Sequence, residues 1–387
     1  MKREPYLIFG SPRIEEDEIA EVVDSLRSGW ISTGPKVARF EEMFRTYIGC
    51  QFARATSSCT AGLHLAMLVA GLRPGDEVIT TPLTFAATAN AILHAGGKPV
   101  FVDIDPGTFN IDPERIIEKI TSRTRAILPV HLAGRPCPMD PILEIARPRG
   151  LLVIEDAAHA IEAQYHGRKI GTIGDLTVFS FYVTKNLVTG EGGMVTTHRK
   201  DWAEAIEHYA LHGLSRGAWK RFSDDGFRHY EVVVPGFKYN MMDIQAAIGI
   251  HQLRKIDQYY RRREEIWRRY DEAFVSAPAE LPPPPEKDTV HARHLYIIRL
   301  RLEQLRINRD GVVEQLHQRG IGTGIHYRAL HLHKYYRETF GYRPEDFPHA
   351  SDYSDRALSL PLSAKLTDRD VEDVITILLG VLHEHRR

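Results

Sequence analysis

GLLVIEDAAHA, residues 150–160, is the stretch that decides the fold of this 387-residue chain. Residues 151–154 are apolar without alternation, so a strand made of them is buried on both faces. Glu155 and Asp156 close the run, and His159 follows at once. A strand covered on both faces belongs in a mostly parallel sheet flanked by helices. Ligands in such sheets gather beyond the carboxyl ends of the strands. The plainer expectation for two acids there is that they are solvated or cap the chain, and for one of the two that expectation stands.

Short β-like runs continue on either side: DEVITT (76–81), KPVFVDID (98–105), RAILPVHLAG (125–134), LTVFSFY (176–182) and GMVTTH (193–198). Segments with helical spacing lie between them: TAGLHLAMLVAGL, TFAATANAILHAG, DPERIIEKI and PMDPILEIARPRG. This alternation predicts an α/β fold. Residues 243–274 predict one long helix whose basic run, RRREE, is a solvated face. A proline-rich stretch, APAELPPPPEKD (277–288), marks a boundary. After it come a strand (HLYIIRL), a helix (RDGVVEQLHQRG) and a last helix that Thr367 caps. The chain divides into a large domain, 1–260 with an N-terminal arm, and a smaller α+β domain, 261–387.

The 50 basic and 51 acidic residues nearly cancel, so no excess of charge points to nucleic acid or an anionic membrane. The N-terminus has no signal-peptide pattern, and no apolar run approaches a membrane span. Cys50, Cys59 and Cys137 are odd in number and widely spaced, which fits a reducing, cytoplasmic compartment. GIHYRALHLHKYY (324–336) holds three histidines. No acid or cysteine lies beside them, and His326 and His331 fall off one helical face, so no metal site is expected.

FSFYVTKNLVTGEGG (179–193) places a lone cation, Lys185, one strand beyond Asp156. An exposed loop lysine is the bland reading, but other groups converge on the same sheet edge. RATSSCTAGLHLAM (54–67) runs small hydroxyl residues into a helix, which is capping chemistry and also a cradle for phosphate. Ser180 is a further hydroxyl within reach. Phe85, in PLTFAATAN (82–90), follows a strand, where it packs in the core or stacks on a flat ring. A phosphate cradle, a stacking ring, a buried carboxylate and a lysine together describe a site for pyridoxal 5′-phosphate. The GEGG turn lacks the spacing of a dinucleotide fingerprint and serves as a tight turn.

The order GPKVARFEEMF, TSSCTAGLHLA, PLTFAATANAI, VFVDID, PVHLAG, VIEDAAHA, FSFYVTKNLVTGEGGMV and GFKYNMMDIQAAIG resembles the DegT/DnrJ/EryC1/StrS aminotransferases, from about residue 8 to the C-terminus. The resemblance implies a fold-type I enzyme with a mostly parallel seven-stranded sheet. It implies that Lys185 bonds the cofactor and shuttles a proton, and that Asp156 pairs with the ring nitrogen. His159 stands where many relatives have glutamine, facing the ring hydroxyl. Thr60, Ala61 and Ser180 match phosphate-binding positions, and Cys59 stands where relatives often carry glycine or alanine. Phe85 matches the stacking aromatic.

Asn240 matches a residue that reaches the phosphate of the neighbouring subunit's cofactor, which implies a homodimer with shared active sites. Taken alone, Asn240 is a helix cap. WISTGP (30–35), with Trp30 and Ser32, matches the loop that covers the sugar, and His326 a residue of the substrate pocket. The 324–336 stretch looks like that of the sugar C4 aminotransferases. The implied reaction moves an amino group from L-glutamate to a keto group, at C4, of a nucleotide-linked sugar. A C3 keto sugar or a cyclic ketone such as an inosose is the near alternative. The related dehydratases replace the lysine by histidine, and Lys185 argues against them. A non-catalytic binding or regulatory protein of the same fold would not need the Asp156/Lys185 pair.

Overall fold

The computed structural model describes residues 3–215 and 231–387. Two helices, α1 (Glu16–Ser28) and α2 (Pro35–Ile48), lead into a seven-stranded sheet. Its strands are β1 (Phe52–Thr56), β2 (Glu77–Thr80), β3 (Lys98–Phe101), β4 (Thr124–Leu128) and β5 (Leu152–Asp156). A short hairpin, β6 (Gln164–Tyr165) and β7 (Arg168–Lys169), precedes the last two, β8 (Leu176–Ser180) and β9 (Gly193–Thr197). The spatial order is β1-β9-β8-β5-β4-β2-β3. β9 runs against its two neighbours, and the remaining pairs are parallel.

Each predicted strand forms, shortened at one or both ends. β1 is not among the predicted strands: residues 52–56 alternate weakly, and 54–56 belong to the cradle stretch. The reversal of β9 follows from the tight 181–192 connection, in which Phe181 and Gly192 pair before the strands begin. Too few residues remain there for a crossover helix.

The central strands bury both faces by alternation. Val153, Phe179 and Met194 join the core beneath α2, whereas Ile154, Val178 and Val195 join the core beneath α3 (Cys59–Val69). Helices α4 (Ala86–His94), α5 (Pro113–Lys119), α6 (Met139–Ala146) and α7 (Lys200–Ala210) complete the layers. α8 (Asp243–Phe274) is the long helix expected from its spacing. Ile250, Leu253 and Ile256 belong to the sheet-side core, while Ile266, Trp267, Tyr270 and Phe274 belong to a second core. That core also holds the antiparallel sheet β10 (Ala279–Glu280), β11 (Tyr296–Leu300) and β12 (Ala357–Leu360), covered by α9 (Arg309–Gln318) and α12 (Asp368–Glu384). Thr367 caps α12 by accepting from the Asp370 amide. Two short helices, α10 (Lys334–Phe340) and α11 (Pro348–Arg356), bridge the units. We propose the domain division at 260/261, where α8 passes from one core to the other.

One expectation fails on this helix. The RRREE run is not wholly solvated: Arg263 is 3% exposed and pairs with the buried Glu162. A buried guanidinium needs such a partner, and Glu162 is 101 residues away in sequence, so local charge pattern could not announce it.

Candidate active site

The carboxyl ends of β5 and β8, the start of α3 and the turn before α4 surround a cavity of about 460 Å³, a size that suits a small molecule. Lys185, Asp156, Thr60, Phe85, His159, Ser180 and His326 all line it. Asp156 is 5% exposed. Its Oδ2 accepts from Thr88 Oγ1 at 2.7 Å, and its Oδ1 from the Ala158 amide at 3.1 Å. A carboxylate has about four acceptor positions, so capacity is left toward the cavity. Burial raises its pKa, against the pull of Thr88, Ala158 and Lys185.

Lys185 sits in the loop between β8 and β9, where its amide closes a turn on the Tyr182 carbonyl. Burial lowers its pKa to about 8, with Cys59 and Asp156 pulling the other way. Its side chain makes no hydrogen bond or ion pair among the described residues. A free lysine is almost wholly protonated at neutral pH, whereas this one is partly available as a nucleophile.

Ser58 caps α3 by accepting from the Ala61 amide at 3.1 Å. Ala61 therefore stands behind the cradle with its amide already used, a correction to its assignment. The amides of Cys59 and Thr60, in the first turn of α3, make no hydrogen bond among the described residues, so a helix start with unpaired donors borders the cavity. Gly193 lets β9 start against this turn, since a Cβ there would stand 2.7 Å from the Cys59 nitrogen. Cys59 itself is buried, which raises its thiol pKa well above the ordinary value and leaves it unreactive. Phe85 is 61% exposed, so the core-packing reading fails, and its ring stands at the cavity wall, tilted against that of Tyr327.

Three sequence-selected residues lie elsewhere. Asn240 donates to Thr33 Oγ1 at 2.6 Å, and the Ser32 carbonyl accepts from the Asp243 amide at 2.9 Å. A Cβ on Gly34 would meet both Trp30 and Asp243, so Trp30, Ser32 and Asn240 group together, outside the cavity of their own chain. Asn240 is not a cap, because α8 begins after Met242.

Glu155 is not solvated either. It is 0% exposed, with Oε2 on His131 Nε2 at 2.9 Å and Oε1 accepting from Gly174 N and Thr177 Oγ1. The three histidines of 324–336 have separate partners: His326 with Ser359, His331 with Ser351 and His333 with the Arg328 carbonyl. Among the described residues no group of three metal-ligating side chains forms.

Thr88, Tyr327 and His294 were missed by sequence reasoning. Thr88 carries a signal, a hydroxyl on the apolar face of a helix, whereas the other two are placed by packing alone.

Residues 12–379 match the model of the DegT/DnrJ/EryC1/StrS aminotransferase family, and the chain belongs to that family. It is 48% identical over 382 residues, 98% of each chain, to the spore coat polysaccharide biosynthesis protein SpsC of Bacillus subtilis. The fold matches Spr1654 of Streptococcus pneumoniae in its PLP form, with TM-score 0.91 and 32% identity over 98% of this chain and 99% of that one. Spr1654 is also solved in a PMP form. A further match is DesI, solved in the presence of its TDP-sugar product, with TM-score 0.87 and 32% identity over 99% of this chain and 94% of that one.

The chain is therefore a fold-type I, pyridoxal phosphate-dependent aminotransferase of a sugar-modifying family. The cavity fits the cofactor independently of these likenesses: it offers free amides to an anion, a partly satisfied carboxylate, an unpaired amine and an open aromatic face. Among the described residues, no helix is long and apolar enough to cross a membrane.

Proposed function

We propose that the chain moves an amino group from L-glutamate to the keto carbon, at C4, of a nucleotide-linked sugar that feeds a polysaccharide. The observation that carries this reading is a half-buried amine without a partner and a partly satisfied buried carboxylate, Lys185 and Asp156, lining one cavity at the strand ends. The sugar-nucleotide part draws on the likeness to DesI and SpsC.

Pyridoxal phosphate, when bound, supplies an aldehyde for amines and an electron sink for the carbon that loses its proton. The Cys59 and Thr60 amides and the Ser180 hydroxyl would hold the phosphate, with Ala61 supporting the turn. Asp156 would keep a proton on the ring nitrogen, and Phe85 would cover one ring face. His159 would lie on the side of the ring hydroxyl. Lys185 Nζ takes the proton from the α-carbon of the donor, and in the second half-reaction gives one to the sugar. Burial keeps His326 neutral, with pKa lowered to about 3, so it meets a sugar hydroxyl as an uncharged partner.

The group formed by Trp30, Ser32 and Asn240 serves the cavity of a second copy in a homodimer. Trp30 and Ser32 cover the sugar there, and Asn240 reaches the phosphate. The three cysteines are buried and unpaired, which agrees with a cytoplasmic setting.

The test is the visible absorbance of the purified protein with cofactor, wild type beside Lys185→Ala, before and after L-glutamate. Glutamate should bleach the wild-type band and leave the variant unchanged. Nucleotide-linked 4-keto sugars should then restore the wild-type band, and 3-keto sugars and an inosose should not. Restoration by a 3-keto sugar alone would overturn the C4 assignment. A wild type with no such band would overturn the whole reading.

A further inference from the structure

His159 has no N–H left for a ligand. Its Nδ1 lies 3.2 Å from the Ala133 amide and accepts from it. Burial holds the ring neutral, with its pKa well below the ordinary value. The one ring proton is then on Nε2, which donates to the Tyr327 hydroxyl 3.1 Å away. A phenol oxygen that accepts in this way keeps its own proton to give elsewhere. Tyr327 makes no other side-chain hydrogen bond among the described residues, and its ring lines the cavity, 6.0 Å from Phe85.

Behind His159 runs a largely buried chain of polar residues. The His159 ring lies 4.4 Å, centroid to centroid, from that of His294. His294 Nδ1 meets Asn186 Oδ1 at 2.9 Å. Asn186 Nδ2 donates to Glu162 Oε2 at 2.8 Å and to the Ala292 carbonyl at 2.9 Å. Glu162 pairs with Arg263, whose Nε donates to the Arg293 carbonyl at 3.2 Å. A satisfied buried network of this kind has few alternative arrangements. It ties α8 to the residue next to Lys185 and to the ring that orients Tyr327.

We propose that Tyr327, oriented by His159, is the hydrogen-bond donor to the ring oxygen of the cofactor. His294, Asn186, Glu162 and Arg263 are positioning residues for His159. The inference rests on the placement of pyridoxal phosphate in this cavity. The titratable groups facing the same point are Asp156, Cys59 and Tyr353 toward Tyr327, and Lys185, His294 and His326 toward His159.

The experiment is a pH titration of the visible absorbance of the holoenzyme, beside its cofactor dissociation constant and the melting temperature of the cofactor-free protein. Tyr327→Phe keeps the ring and removes the donor. A hydrogen bond to a charged oxygen is worth about tenfold or more, so its loss should weaken cofactor binding by roughly that factor. An oxygen that loses a donor holds the proton on the neighbouring lysine nitrogen more tightly. The titration midpoint should therefore rise by about one pH unit.

His294→Gln should move the midpoint the same way by less, with the melting temperature reporting that the fold survives. If Tyr327→Phe titrates as the wild type while His159→Gln shifts, the donor is His159 and the proposal is overturned. A wild type that binds no cofactor overturns the reading of the cavity instead.

Discussion

Glu155 and Asp156 are neighbours on one strand, both acids and both buried, yet the structure treats them in opposite ways. Alternation along β5 sends Glu155 to the face of Val153 and Asp156 to the face of Ile154. Glu155 meets His131, Gly174 and Thr177 on its two oxygens and is closed off. Asp156 is held by Thr88 and Ala158 but keeps acceptor capacity toward the cavity, where the Lys185 amine is also unpaired. Burial alone does not mark a working residue. The mark is a buried polar group whose partners are incomplete, because leaving it so costs stability that only a ligand restores.

Replacing Lys185 tests the open side of this comparison most severely. Lys185→Met should lower the transamination rate by at least about 10⁴-fold, since one residue serves as both base and acid. Single-turnover kinetics with L-glutamate would check it, and a variant that still turned over would place the proton shuttle elsewhere.

The next contrast sets the two acids against each other. Glu155→Ala strands His131, the Gly174 amide and the Thr177 hydroxyl in the core, and should cost about 3–5 kcal/mol in denaturant unfolding. Asp156→Asn should leave stability nearly unchanged and lower kcat by roughly 10²–10⁴-fold. If both variants lost stability alike, the distinction between a closed and an open acid would fail.

Lys185 should also be a stability liability in the cofactor-free protein. Its pKa falls from 10.5 to about 8 on folding, so between these values the unfolded chain holds more protons than the folded one. Stability therefore rises with pH through that window, and the full cost of burying the charge is felt below it. Lys185→Met should raise cofactor-free stability at pH 7 by about 3 kcal/mol, and the gain should shrink as the pH passes from 8 toward 10.5. Unfolding curves at several pH values would show it. A gain that grew with pH would have the wrong sign.

Phe85→Ala should have the smallest effect. An exposed ring removes little core, so the melting temperature should hold. Loss of stacking worth about 1 kcal/mol should weaken cofactor binding about fivefold. Fluorescence titration of the cofactor-free protein would measure it.

Local signals suffice where neighbours along the chain carry the physics. The apolar run ending in Glu155 and Asp156, the span and period of α8 and the Thr367 cap all depend on residues within a turn or a strand of one another. Lys185 and Asp156 were legible for the same reason: each ends or follows a strand, and parallel topology brings strand ends together. β1 was not legible because its alternation is weak, and the period of β9 gave no direction, since a two-residue period is the same either way; the short 181–192 connection sets it.

Sequence by itself determined the α/β alternation, the family motifs and the amine–carboxylate pair. Tertiary structure alone decided the partners of the buried groups. His159 meets Tyr327 across 168 residues, and Arg263 meets Glu162 across 101. It also set the Trp30, Ser32 and Asn240 group apart from the cavity of its own chain. The physical reason is range: propensity and periodicity act over a few residues, whereas a buried polar group is satisfied by whatever the packed chain brings within about 3 Å.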